Sequence, residues 1–91
     1  MKIGRTTAMV RRMLERPVPD GVITFIVLPR LGMGLTTYIL QLMESISGLP
    51  VKFVRASQYT VDGRLIQFIN REQERSGEVF RGLHHVTYID H

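Results

Sequence analysis

VITFIVL, Val22 to Leu28, is apolar and mostly β-branched, with Thr24 as its single polar member. A strand with one wet face alternates apolar and polar residues. A run without that alternation is buried on both faces, as at the centre of a parallel sheet covered by helices. Asp20-Gly21 turns the chain into the run and Pro29 ends it.

Downstream, Arg30-Leu31-Gly32-Met33-Gly34 reads as a loop. Leu35, Tyr38, Ile39, Leu42, Met43 and Ile46 then recur at helical spacing, which predicts an amphipathic helix over Leu35–Ile46. Gly48 and Pro50 stop it. Val51–Arg55 (VKFVR) reads as a second strand, so strand, helix and strand follow one another at the length of a right-handed βαβ crossover. Upstream, Met9, Val10, Met13 and Leu14 form one stripe of a helix over Thr6–Arg16, with Thr6 as its cap and Arg5, Arg12 and Arg16 off the stripe. Pro17 and Pro19 terminate that helix. After the Asp62-Gly63 turn, Arg64–Ile69 reads as a strand, Asn70–Glu78 as an exposed polar loop, and Val86–Ile89 as the last strand. The expected fold is a single α/β domain over residues 1–91. It is a small three-layer arrangement with a mostly parallel sheet of about four strands and two main helices.

The chain has 91 residues and 44% apolar content, enough for one core and too apolar for disorder. No apolar run reaches the roughly 20 residues that span a bilayer, and the first seven residues lack the apolar segment of a secretory signal. Without cysteine there is neither a disulfide framework nor a thiolate metal site. A cytoplasmic protein with no membrane role is expected. The net charge is +4, with ten arginines against two lysines. A small basic protein of this kind reads either as merely soluble or, since arginine favours bidentate contact with phosphate or carboxylate, as the partner of a nucleotide, a nucleic acid or an acidic protein surface.

Gly4-Arg5-Thr6-Thr7 places a glycine, a cation and two hydroxyls at the start of the first helix, a pattern suited to phosphate. The same residues also suit a plain capped helix. Asp90 follows the apolar strand Val86-Thr87-Tyr88-Ile89, where a metal-holding aspartate sits in nucleotide-binding sheets. His84 and His85, as neighbours on a strand, point to opposite faces and cannot readily chelate together; Asp90 and His91 are placed likewise. Tyr59 and Tyr88 read as packing residues that could also stack on bases.

In order, Gly4-Arg5-Thr6-Thr7, the strand with Pro29-Arg30, GRLIQF (Gly63–Phe68), Arg81-Gly82 and VTYID (Val86–Asp90) resemble the front half of the P-loop NTPase core of helicases and viral terminases. Gly4–Thr7 is similar to the close of a Walker A loop, with Arg5 in place of lysine, and VTYID is similar to Walker B. Small bacteriophage-type proteins that open with Gly-Arg-Thr-Thr share this look. The resemblance implies a phosphate or nucleotide site at Gly4, Arg5, Thr6 and Thr7. It also implies Asp90 as a magnesium partner, ATP or GTP with magnesium as the ligand, and a crevice shared by Thr6 and Asp90. The strand and most of the loop before Gly4 are missing, and His91 stands where the family carries a catalytic glutamate. Little or no hydrolysis is therefore expected, in a viral accessory protein of the host cytoplasm. The alternative is a non-enzymatic protein that binds nucleic acid or a host protein through Arg11, Arg12, Arg16, Arg30 and Arg55. The missing strand would leave a sheet edge open, which predicts a homodimer or larger homo-oligomer.

Overall fold

The run around Phe25 becomes β1 (Ile23–Leu28), and in the computed structural model, which describes residues 2–30 and 32–90, it lies between two parallel neighbours. One is β4 (Arg64–Asn70) and the other is β5 (His85–Ile89). Thr24 through Leu28 are all fully buried, as an unalternating run requires. Beyond β4 the sheet continues with β3 (Gln58–Val61) and β2 (Lys52–Arg55), giving five strands in the order β2-β3-β4-β1-β5.

The sheet is mixed. β4, β1 and β5 are parallel, whereas β2 pairs antiparallel with β3 and β3 with β4. This corrects the expected count of about four strands and the mostly parallel character, and it moves Lys52–Arg55 away from β1. The added strand is β3. It is joined to β2 by Ala56-Ser57, where Ser57 adopts φ 63° without the glycine that normally marks such a turn. The β3–β4 connection is of the expected kind, with Asp62 at φ 51° and Gly63 at φ 72°.

Two long helices share one face of the sheet. From α1 (Lys2–Glu15) come Met9, Val10 and Met13, and from α2 (Met33–Ser47) come Ile39 and Met43. They close over Ile26, Leu28, Val61, Ile66 and Phe68. Each such buried side chain stabilises the fold by about 1.5–3 kcal/mol relative to exposure. α2 ends at Gly48, whose φ of 73° lets its N–H return to Glu44 O. Among the described residues, the other face is covered by α3 (Arg71–Ser76) and a 3₁₀ turn (Glu78–Phe80). Val79 and Phe80 there pack on Phe25, Val27 and Ile69.

Connection geometry explains the division. The route from β1 to β4 and the route from β4 to β5 cross the sheet in opposite directions, so crossovers of one hand put α2 and α3 on opposite faces. Residues 71–76, expected as loop, are helical because Asn70 and Gln73 form a reciprocal capping box. α1 begins at Lys2, ahead of the expected Thr6, and takes Gly4 into its first turn. Its far end is held by Arg64, whose Nη2 donates to Leu14 O at 2.7 Å.

Candidate functional site

Extending the α1 stripe back one step from Met9 lands on Thr6, which is 3% exposed. Thr6 is therefore an inward residue in the second turn of α1, not the cap expected of it. Its hydroxyl has a specific partner. Thr6 Oγ1 donates to the Asp90 carboxylate, 3.2 Å from Oδ1 and 3.2 Å from Oδ2. Asp90 is 7% exposed, and its N–H donates to Val27 O at 2.9 Å, which anchors it to the carboxyl end of β1. A buried carboxylate needs hydrogen-bond donors, and α1 brings one across a gap of 84 residues.

Arg5 and Arg12 extend this pair into a site. With Ala8, Met9, Ile89 and Asp90 they line a cavity of about 260 Å³. A larger open groove of about 830 Å³ adjoins it through Arg12 and Ile89, and adds Glu15, Arg16, Thr87 and Tyr88. Arg5, Arg12 and Arg16 are exposed; Arg5 and Arg12, at i and i+7, share the side of α1 that faces β5, and Arg16, the residue after the helix, continues the line into the larger groove. The Tyr88 hydroxyl is buried without a hydrogen-bond partner.

The remaining expected positions are dispersed. Gly4 and Arg5 lie in the first turn of α1 and Thr7 in the second, so Gly4–Thr7 is regular helix and not a loop. Arg11 is exposed and lines neither cavity, and Arg30 follows β1 at its carboxyl end. Arg55 closes β2 at the opposite edge of the sheet, so the five arginines proposed as one contact surface do not form a single patch. His85 stacks on Phe80 with ring centroids 4.2 Å apart and planes within 7°. Among the described residues no three His, Asp or Glu side chains gather to hold a metal, and His91 lies outside those residues. No helix among them is long and apolar enough to cross a membrane.

Thr87, Glu15 and Ile89 were not singled out by the sequence. Glu15 was legible as a neighbour of the arginine row, whereas the groove positions of Thr87 and Ile89 depend on β5 lying at the sheet edge. Set against protein-family models, curated proteins and solved structures, the chain matches none, and what the site does has to come from its own geometry.

Proposed function

We propose that the chain binds a phosphate-containing ligand, a nucleotide with magnesium, at the carboxyl end of β1 and β5, with little or no hydrolysis. The observation that carries this reading is Asp90, hydrogen-bonded by the buried Thr6, lining a cavity together with Arg5 and Arg12. In α/β sheets, ligands settle outside the carboxyl ends of parallel strands. Two guanidinium groups complement phosphate, and a carboxylate beside a hydroxyl is a hard oxygen set suited to magnesium. When bound, magnesium would neutralise phosphate charge; Asp90 would hold it and Thr6 would orient Asp90. The test is calorimetric titration with ATP and with GTP in the presence of magnesium. Saturable heat is expected, at least about tenfold weaker in Arg5→Ala and in Asp90→Asn, because each removes a charged contact. No heat from either nucleotide overturns the reading.

A second reading, an interaction protein that uses no nucleotide, is favoured by the arginine row along the larger groove. Nucleic-acid binding through that row would weaken steeply with salt in a gel-shift series. Self-association through an open edge belongs to the same reading, and light scattering reports it.

A further inference from the structure

We propose that the groove between α1 and the open edge of β5 docks an extended acidic segment of a partner protein, which joins the sheet as a sixth strand. This deepens the interaction reading above.

The phase of the β5 ladder is set by two hydrogen bonds. Ile23 N–H donates to His84 O at 3.0 Å, and Asp90 N–H donates to Val27 O at 2.9 Å. In a parallel ladder, alternate residues direct both backbone groups to one neighbour. Even-numbered residues of β5 therefore serve β1, and His85, Thr87 and Ile89 turn their N–H and C=O groups to the edge, where no strand of the described residues lies. Three consecutive residues, Thr87, Tyr88 and Ile89, line the groove. Consecutive strand residues point to opposite faces, so a cavity touching all three runs along the strand's edge.

The two edges of the sheet are treated differently. β2 is four residues long, begins with Lys52 and shifts register between Phe53 and Arg55. Short length, lysine and a bulge are devices that block strand addition. β5 has no proline, no lysine and no register shift.

Charge selects the occupant. From Arg5 to Arg16 is about 16 Å along a helix, the length of about five strand residues. A docked strand would present alternate side chains to α1, so acidic residues at every second position meet Arg5, Arg12 and Arg16. A second copy fits poorly. Antiparallel pairing of two β5 edges about a two-fold axis sets α1 beside its own copy, arginine row facing arginine row. A nucleic acid fits poorly as well. It offers no N–H row for the outward carbonyls of Thr87 and Ile89.

The test is fluorescence anisotropy of the whole chain with a labelled peptide, Gly-Ser-Glu-Val-Glu-Val-Glu-Ser-Gly. Saturable binding is expected, at least about tenfold weaker for Arg12→Glu. Thr87→Pro should abolish it, because that N–H faces the edge and proline is tolerated there. Circular dichroism checks that Thr87→Pro is folded. A peptide N-methylated at alternate residues supplies the same test without touching the protein, and it should bind at least about tenfold more weakly. The proposal is overturned by no binding up to about 1 mM peptide, or by equal binding of the methylated peptide. It is also overturned by a dimer, seen in sedimentation, that Thr87→Pro dissolves. An oligothymidylate that binds where the peptide does not removes the peptide and leaves the wider interaction reading standing. Absence of both removes the two together.

Discussion

The sheet is two structures joined at β4, and they are held by different physics. On one side, β4, β1 and β5 run parallel, and β1 has five fully buried residues in succession. On the other, β2 and β3 form a hairpin in which all four β2 residues are exposed and Phe53 is 68% exposed. Both halves carry aromatic residues, but the fully buried rings, Phe25 and Phe68, lie in the parallel half. Phe25 meets Phe80 edge to face at 4.9 Å beneath α3, whereas Phe53 meets Tyr59 at 5.8 Å with water around it. Long-range burial builds the parallel half, and local turn chemistry builds the hairpin. The arginine groove and the Thr6–Asp90 pair both belong to the parallel half.

The largest effect that could break this contrast is Phe25→Ala. Its side chain is fully buried, so truncation should cost about 3–5 kcal/mol. A small domain with a net stability of about 5–15 kcal/mol would lose much of its folded population, which urea denaturation measures. A loss below about 1 kcal/mol would mean that the α3 face is not a core. Next is Thr6→Val, which keeps the side-chain shape and removes the hydroxyl bonded to Asp90. A buried acceptor that loses its donor costs about 1–3 kcal/mol, and Thr6→Ser should recover most of it. Equal stability of Thr6→Val and the parent would mean that the pair contributes nothing to holding α1 on β5.

These contrasts also show what the residues revealed and what they withheld. VITFIVL, the α2 stripe, Gly48 and Asp62-Gly63 were legible because each carries its own period or turn residue. β3 was not, since Ala56-Ser57 lacks glycine and Ser57 bears the positive φ itself. α3 was missed because it buries nothing fully and is held by a side chain-to-backbone box that hydrophobic period does not register. At the site, Thr6 continued the Met9 stripe at helical spacing, but a polar member of an apolar stripe reads as a cap. That Thr6 meets Asp90 followed from resemblance, not from spacing, because residues 84 positions apart share no local pattern.

Thr24 sharpens the comparison with the opposite sign. It is fully buried in β1, and its hydroxyl has no hydrogen-bond partner. Thr24→Val is nearly isosteric and suits a strand, so it should stabilise by about 1 kcal/mol and raise the melting temperature by about 4–8 °C. A fall in stability would show that the hydroxyl is satisfied in solution.

The smallest effect belongs to the hairpin. Phe53→Ser removes a ring that is mostly in water, so unfolding free energy should move by less than about 0.5 kcal/mol. Its ring meets Tyr59, and exposed aromatic pairs across strands contribute about 0.2–1 kcal/mol. Tyr59 in turn meets Phe68 edge to face at 5.9 Å, so any larger loss has a route into the core through that ring. A loss above about 2 kcal/mol would mean that Phe53 itself supports the core that Val61 and Tyr59 reach, because an isolated exposed pair cannot supply that much. A near-zero change would confine the apolar contribution of the hairpin to Val61 and Tyr59, the two β3 residues that pack under the long helices.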